Sequence, residues 1–267
     1  MDPEFGFPDL LSRKDVEEAG ERICASITRT SVLKSDALNE KCGVELLFKC
    51  ENFQQSGSFK YRGVSNAVLK LGAVDRKKGV ITHSSGNHGA ALAAFARKLK
   101  IPCLVVMPDS ASEFKRQAIY RYGAEIIDCE SSLESRESTL EGLLSERGMN
   151  FIPPYDHADV IAGQGTCGLE LLDDVKKIDE LWVPVGGGGL AGGNVLSVGE
   201  ELQVVGAEPA LARDAYEGLK LGVRQPQMEP MTCADGLRTA LGELNFSILT
   251  KYKLPIRLVT EEEIIRA

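Results

Sequence analysis

Short apolar segments alternate with segments of helical length from Gly79 onward. The apolar runs are GVIT (79–82), IPCLVVMP (101–108) and AEIIDC (124–129), and they are separated by AALAAFARKL and SEFKRQAIYRYG. The polar stretch LESRESTLEGLLSERG follows the third run and also has helical length. This alternation predicts βαβ units and a parallel sheet. Because such crossovers are right-handed, we expect the loops after the strands at one sheet edge, where open α/β sheets bind ligands.

A second pattern of the same kind begins near Asp179. DELWVPV (179–185) and QVVGAEP (203–209) are predicted strands, separated by the glycine loop GGGGLAGG and a short helix, NVLSVGEEL. LLFKCE (46–51) is predicted to be a further strand of this second sheet. The fold class is therefore a two-lobed α/β architecture with parallel sheets. We expect residues 1–77 and 152–267 to form the large domain and 78–151 a small inserted domain, with MDPEF (1–5) derived from a vector.

Composition excludes several classes of partner. The chain has 267 residues and a net charge of -8 without a long basic run, so nucleic acid and anionic membrane surfaces are not expected to bind. No apolar stretch approaches the roughly 20 residues of a membrane span, and the N-terminal residues do not resemble a secretory signal. Seven cysteines, an odd number without CxxC spacing, predict buried free thiols in a reducing cytoplasm rather than disulfides or a zinc site.

VPVGGGGLAGG (183–193) is the strongest local motif. Consecutive glycines after a buried strand allow positive φ and a close approach to a ligand. Their N–H groups, together with the start of the next helix, favour an anion such as phosphate. The alternative is a glycine-rich turn that only permits tight packing. The motif lacks the acidic residue of a dinucleotide fingerprint and the lysine of a P-loop, which argues against a nucleotide-binding oxidoreductase.

THSSGNHGA (82–90) also lies between a predicted strand and a predicted helix. Its serines, asparagine and backbone amides are typical of a site for a small anion such as a carboxylate. The alternative is an ordinary polar loop in which Ser84 or Ser85 caps the helix. A metal site at His83 and His88 is not favoured, because i, i+5 is not ligand spacing on one helix face.

Lys60, in GSFKYRG, could be a solvated cation or a nucleophile. Pyridoxal phosphate chemistry requires an amine, a phosphate cradle and a loop for the substrate carboxylate, and the sequence supplies all three. An exposed lysine, with a pKa near 10.4, is a poor nucleophile at neutral pH, so burial must lower that pKa. The combination favours the nucleophile.

Several motifs in the same order resemble the serine racemase and threonine dehydratase branch of the fold-type II pyridoxal-phosphate enzymes, and within it eukaryotic serine racemases most closely. The matching stretches are FKCENFQQSGSFKYRG, VITHSSGNHGAAL, ESRES, VIAGQGT, VPVGGGG and GAEP. The resemblance implies an architecture like that of the tryptophan synthase β subunit. Family members continue beyond EEEIIRA, so the chain is expected to lack the C-terminal segment with the residue at the pyridine nitrogen.

The resemblance also implies roles for individual residues. Lys60 should form the Schiff base with pyridoxal phosphate, Phe59 should pack on its ring and Asn87 should contact its hydroxyl. The substrate carboxylate should lie against Ser84, Ser85, Asn87 and His88. The phosphate should lie on the tetraglycine loop, with a further glycine beside the cofactor: Gly186, Gly187, Gly188, Gly189 and Gly236.

Ser85 is the residue that discriminates between activities. Threonine dehydratases usually carry SAGNH where this chain has SSGNH. The resemblance implies that Lys60 exchanges the α-proton on one face and Ser85 on the other, which racemises serine. With one base, the same activated substrate loses its β-hydroxyl and yields pyruvate and ammonia. The alternative enzymatic function is dehydration of threonine or 3-hydroxyaspartate. The non-enzymatic alternative is an inactive or truncated homologue that binds a phosphorylated ligand.

The family's divalent-metal loop matches VVGAEPALARDAYEG (204–218). Glu208, Asp214 and the carbonyl of Ala212 should bind Mg²⁺, or Ca²⁺ or Mn²⁺, which prefer such oxygen ligands. From the residues alone, solvated charges are the favoured interpretation of these carboxylates. The resemblance further implies a homodimer acting on serine or threonine. Serine racemases have a lysine that helps to bind ATP where this chain has Gln55, and a glutamine where it has Ala90. Both differences argue against activation by ATP.

Overall fold

The computed structural model describes residues 11–84, 86–226 and 230–267, and of Leu133 only the backbone. The described residues pack into two compact units, one formed by residues 20–154 and the other by residues 11–19 with 155–267. Each unit contains a parallel sheet, which confirms the predicted α/β class. The domain boundaries at 77 and 151 stay a prediction, and residues 1–5 lie outside the described part of the chain.

The first strands of the chain do not join either parallel sheet. β1 (Val32–Lys34) and β2 (Leu47–Lys49) pair antiparallel on either side of helix α2 (Asp36–Cys42). The prediction that LLFKCE belongs to the second parallel sheet is therefore wrong. Only a short segment separates the two strands, so closing it costs less entropy than a distant pairing.

The unit of residues 20–154 is built on a four-stranded parallel sheet. Its strands are β3 (Val80–His83), β4 (Cys103–Pro108), β5 (Glu125–Cys129) and β6 (Asn150–Phe151), in the order β5-β4-β3-β6. Its helices, besides α2, are α3 (Lys60–Lys70), α4 (Ala73–Lys78), α5 (Asn87–Leu99), α6 (Glu113–Tyr120) and α7 (Leu133–Arg147). Helix α1 (Arg13–Ile23) begins in the part of the chain assigned to the other unit and ends in this one.

Both faces of this sheet are buried, which explains the continuous apolar run of β4. Val105 and Met107 pack with residues of α5 and α6, whereas Leu104 and Val106 pack with Leu140 of α7. Side chains alternate along a strand, so a strand covered by helices on both sides is apolar at every position. The loop after β3, which carries Ser84, starts from this rigid layer.

The second unit contains a three-stranded parallel sheet. Its strands are β7 (Glu180–Pro184), β8 (Gln203–Pro209) and β9 (Ile256–Val259), in the order β7-β8-β9. Its helices are α8 (Ala158–Asp174), α9 (Gly189–Val198), α10 (Asp214–Leu221), α11 (Glu243–Lys251) and α12 (Glu261–Arg266). α9 begins earlier than predicted, so the segment LAGG is helical and the glycine loop is shorter than the sequence indicated.

All seven cysteines are free thiols, as predicted. The prediction that they are buried is wrong for Cys24, Cys42 and Cys233, which are exposed because they lie at helix ends or in a loop rather than in apolar strands. Within the residues that the structure describes, no helix is both long and apolar enough to cross a membrane.

Helices α8 and α9 touch through their backbones at two glycines. A Cβ on Gly193 would lie 2.5 Å from the amide nitrogen of Gly165 and would also collide with the carbonyl oxygen of Ile161. Real Cβ atoms do not approach backbone this closely, so only glycine fits here. This crossing fixes α9, the helix whose first residue is the last of the four consecutive glycines.

Gly193→Ala is expected to lower the free energy of unfolding by about 1–3 kcal/mol, because the two helices must separate to admit the methyl group. Urea unfolding measures this change. Gly142→Ala is the matched control: Gly142 lies within α7 with nothing within 4 Å of its missing Cβ, so alanine should stabilise the helix by about 0.5–1 kcal/mol. Equal unfolding midpoints for the two variants would show that the crossing tolerates a side chain.

Candidate active site

Lys60 is the first residue of α3 and follows the loop QSGSF. Its Nζ donates a hydrogen bond to the carbonyl oxygen of Pro154 at 2.6 Å and lies 5.2 Å from the centroid of the Phe59 ring. The side chain is half-buried, and desolvation of the amine lowers its pKa from 10.5 to about 8. Lys60 is therefore far closer to neutrality at pH 7 than an exposed lysine.

A buried ion pair anchors the start of α3. Arg62 is fully buried and donates from Nε and Nη2 to the two carboxylate oxygens of Glu51, each at 2.8 Å. The hydroxyl of Thr30 donates to the same carboxylate at 2.6 Å. A two-point pair fixes orientation as well as distance, and Arg62 is two residues from Lys60. This pair was not predicted, because a single arginine and a single glutamate look like surface charges.

The polar loop after β3 is organised by Ser84. Its Oγ accepts hydrogen bonds from the N–H groups of Gly86 at 3.2 Å and Gly89 at 3.1 Å. Gly86, not a serine, occupies the N-cap position of α5, and Asn87 is the exposed first residue of the helix. Ser85 lies outside the described residues. An anion at this helix start would therefore be bound by the N–H groups of the first turn that Ser84 does not occupy.

The imidazole of His88 is directed into the protein. It is 2% exposed, and its Nε2 lies 3.0 Å from the carbonyl oxygen of Ile152. Because a carbonyl only accepts, Nε2 carries the hydrogen. Burial, with a smaller effect of the Lys60 charge, lowers the pKa of His88 to about 3, so the ring is neutral. A contact between His88 and a substrate would therefore use its backbone N–H.

The consecutive glycines form a loop with no room for side chains. Gly188 has φ of 89°, a conformation that favours glycine, and a Cβ there would lie 2.5 Å from Leu241. A Cβ on Gly186 would lie 3.0 Å from the Cα of Leu237, and one on Gly187 would enter the ring of Tyr155. The loop leads directly into α9 at Gly189, so bare backbone N–H groups meet a helix N-terminus. Backbone N–H groups arranged in this way are chemically suited to bind an anion.

Gly236 lies in a single 3-10 turn, Asp235–Leu237, and is exposed. Its segment is held by Glu261, the first residue of α12, whose carboxylate accepts from the N–H of Cys233 at 2.7 Å. Arg238 donates from Nε to the carbonyl of Thr232 at 2.8 Å. These anchors were not predicted, because neither the residue types nor their spacing distinguishes them from surface polar groups.

The structure brings Glu208 and Asp214 together in a buried position. Glu208 accepts from the N–H groups of Ala215 at 2.9 Å and Tyr216 at 2.8 Å, and Asp214 accepts from that of Leu241 at 2.7 Å. Burial raises the pKa of both carboxyls, that of Glu208 to about 8, with repulsion from Asp214 contributing. The interpretation of this pair as solvated charges, favoured from the residues alone, is therefore wrong.

Ala212, which should offer its carbonyl beside these carboxylates, is also buried. In the three described ranges, however, no group of three His, Cys, Asp or Glu side chains could hold a metal ion.

The unit of residues 20–154 contains an amine of lowered pKa and a polar loop between β3 and α5. The other unit, taken by itself, contains the glycine loop between β7 and α9. Residues 23–267 match the family described as pyridoxal-phosphate dependent enzyme. The chain belongs to this family, and pyridoxal phosphate is its cofactor.

Known proteins similar to this chain carry two kinds of name. A serine racemase of Dictyostelium discoideum is 44% identical over 259 residues, which cover 95% of this chain and 80% of that protein. A beta-hydroxyaspartate dehydratase of Paracoccus denitrificans is 43% identical over 257 residues, covering 95% and 82%. The predicted resemblance to the racemase and dehydratase branch is confirmed.

Solved structures agree with this placement. The crystal structure of serine racemase from Dictyostelium discoideum has a TM-score of 0.91 and 43% identity, covering 96% of this chain and 84% of that one. The crystal structure of a T.th. threonine deaminase also has a TM-score of 0.91, with 38% identity and coverage of 96% and 85%. The predicted fold class is therefore confirmed.

Proposed function

We propose that this enzyme interconverts L- and D-serine and also eliminates the β-hydroxyl of serine to give pyruvate and ammonia. The observation that carries the proposal is the Lys60 amine, half-buried at the start of α3 with a pKa of about 8, in a chain of the pyridoxal-phosphate family. Serine is proposed as the substrate because relatives of this chain are named serine racemase. A dehydratase of threonine or 3-hydroxyaspartate is the second candidate, favoured by the relative named beta-hydroxyaspartate dehydratase.

The described residues fit the cofactor. Lys60 would supply the amine for covalent attachment and Phe59 would pack on the ring. Asn87 and Gly236 are the further residues that we propose would contact the cofactor. The crowded loop offers its backbone to the phosphate through Gly186, Gly187, Gly188 and Gly189. When bound, pyridoxal phosphate withdraws electrons from the α-carbon of the substrate and so acidifies its proton.

Lys60 acts as the base on one face of the substrate. A general base works best when its pKa lies near the working pH, and burial brings Lys60 to about 8. Its hydrogen bond to the Pro154 carbonyl holds the amine in place in both protonation states, because a neutral amine still donates. Lys60 therefore takes and returns the α-proton without losing its position.

Ser85 exchanges the proton on the opposite face, and its hydroxyl distinguishes racemisation from elimination. The substrate carboxylate lies on the loop at the start of α5, where Asn87 and His88 offer backbone N–H groups and the hydroxyl of Ser84 can donate its hydrogen. The helix dipole also favours a negative charge there. A carboxylate fixed there presents the α-carbon to both bases. Without a second base the substrate either regains its proton on the same face, which leaves L-serine, or loses its β-hydroxyl.

A divalent cation, Mg²⁺ or else Ca²⁺ or Mn²⁺, binds Glu208, Asp214 and the carbonyl of Ala212. Two buried carboxylates that repel one another fit this role, since a cation between them offsets the cost of burial. The family resemblance and the free thiols support a cytoplasmic homodimer. Gln55, where serine racemases have a lysine that helps to bind ATP, is a neutral amide that donates to the carbonyl of Ser26 at 3.1 Å, which argues against activation by ATP.

Pyridoxal phosphate is expected to attach covalently to Lys60 of the protein freed of cofactor, giving a yellow adduct that borohydride fixes. Only the neutral amine attacks, so the attachment rate should rise about tenfold per pH unit below pH 8 and level off above it. Mass spectrometry locates the adduct. Lys60→Ala should remain unlabelled at this position, and Lys14→Ala, an exposed lysine, should behave as the unaltered protein. A protein that stays colourless in excess cofactor is instead the inactive homologue.

Ser85→Ala should abolish racemisation while elimination persists, because only the proton exchange on the second face is lost. D-Serine and pyruvate are measured together after incubation with L-serine. Ser138→Ala, which removes an exposed hydroxyl of α7, is the control. If both rates fall together, or neither changes, the assignment of two bases is wrong. An enzyme that forms pyruvate but no D-serine before mutation is a dehydratase.

Addition of Mg²⁺ is expected to raise the melting temperature, since a ligand at 100 times its Kd stabilises the folded state by about 2.7 kcal/mol. Glu208→Gln should abolish this rise, whereas Glu200→Gln, at an exposed position, should retain it. A rise of the same size in Glu208→Gln would place the cation elsewhere.

A further inference from the structure

The carbonyl of Gly187, in the middle of the glycine loop, is directed at helix α11. It accepts a hydrogen bond from Nδ2 of Asn245 at 2.9 Å and another from the N–H of Gly242 at 3.2 Å. The side chain of Asn245 is wholly buried. The buried carboxamide of Asn245 thus holds the Gly187 carbonyl of the glycine loop in place.

This hydrogen bond determines where the next N–H points. The carbonyl of Gly187 and the N–H of Gly188 belong to the same planar peptide, and in a trans peptide the two groups point in opposite directions. A carbonyl held against α11 therefore directs the N–H of Gly188 away from α11. Gly188 is the N-cap of α9, so its N–H is not required by the helix.

Asp156 in turn fixes the start of α11. Its Oδ2 accepts from the N–H of Glu243 at 2.8 Å and its Oδ1 from the N–H of Asn245 at 3.2 Å. The N-cap residue of α11 is Gly242, which has no side chain, so Asp156 caps the helix from a distant part of the chain. Its charge is also favourable at a helix N-terminus.

The carboxamide of Asn245 is held from several sides. Nδ2 also lies 3.3 Å from Oδ1 of Asp156 and 3.2 Å from the carbonyl oxygen of Tyr155. These acceptors determine which end of the carboxamide carries the nitrogen, because oxygen at that position would face three acceptors. The donor toward Gly187 is therefore a fixed feature of the unit.

We propose that Asn245, oriented by Asp156, is a positioning residue that turns the Gly187–Gly188 peptide so that the N–H of Gly188 donates to the phosphate of the cofactor. The proposal rests on the proposed use of the glycine loop for phosphate. Neither side chain need touch the cofactor. Loss of the Asn245 donor should therefore weaken recognition of the phosphate specifically, and leave the reaction of the Lys60 amine with an aldehyde unaffected.

Pyridoxal, the same aldehyde without a phosphate, is the probe that separates these effects. Asn245→Asp keeps the size of the side chain but replaces the donor with a carboxylate oxygen that repels the Gly187 carbonyl. We expect the Kd for pyridoxal phosphate to rise at least about tenfold, and the Kd for pyridoxal to change much less. Both constants are measured by absorbance titration of the purified full chain, with melting temperatures recorded alongside.

Asn194→Asp is the matched control. Asn194 is also buried and lies in α9, where its amide donates to the carbonyl of Leu190 at 2.8 Å. The same substitution there should lower the melting temperature without changing the ratio of the two dissociation constants. A general loss of packing would instead move both probes equally in both variants.

Asp156→Asn carries the same test if Asn245→Asp fails to fold, because it removes one acceptor at the start of α11 and keeps the shape. A selective loss of pyridoxal phosphate binding supports the proposal. An unchanged ratio of dissociation constants in the folded variants overturns it while the proposed function stands. If the unaltered protein binds neither pyridoxal phosphate nor pyridoxal, the proposed function fails together with this inference.

Discussion

Removal of the Lys60 amine from water is the interaction on which the proposed chemistry depends. Burial of Lys60 lowers its pKa from 10.5 to about 8, and this shift makes the amine both a nucleophile and a base near neutral pH. The shift has a thermodynamic counterpart. Between pH 10.5 and 8 the unfolded chain binds more protons than the folded one, so stability falls as the pH decreases through this window and the loss is complete below pH 8. Activity and stability are therefore opposed at this side chain.

The fixed start of α3 is what keeps this unfavourable burial in place. An amine that could swing into water would recover its ordinary pKa, so the backbone that carries it must not move. The buried pair of Arg62 and Glu51 supplies this rigidity two residues away, with both guanidinium contacts at 2.8 Å. In the other unit the same purpose is met without charges: glycines bring backbone against backbone at Gly165 and Gly193 and so hold α9.

Sequence reasoning predicted the parts of this protein that have a local signature. The strands and helices around β4, the glycine loop and Lys60 each follow from a pattern within a few residues. The strand of LLFKCE was misplaced, because an apolar run does not reveal its partner. Asp156 and Asn245 were missed for the same reason, since they act on residues far along the chain and look like ordinary polar positions. Hydrogen bonds between residues far apart in the chain leave no repeating pattern in the sequence, so they are recognised only in the folded structure.

The division between racemase and dehydratase is not a property of the scaffold. Relatives with these two kinds of name are 44% and 43% identical to this chain, and the racemase and deaminase structures fit it with the same TM-score of 0.91. Removal of the same α-proton precedes both outcomes, so the fold and the first base serve either. What differs is whether a second group returns a proton to the other face before the β-hydroxyl departs. In the function proposed for this chain a single hydroxyl decides that competition, and Ser85 of SSGNH is the residue proposed to carry it.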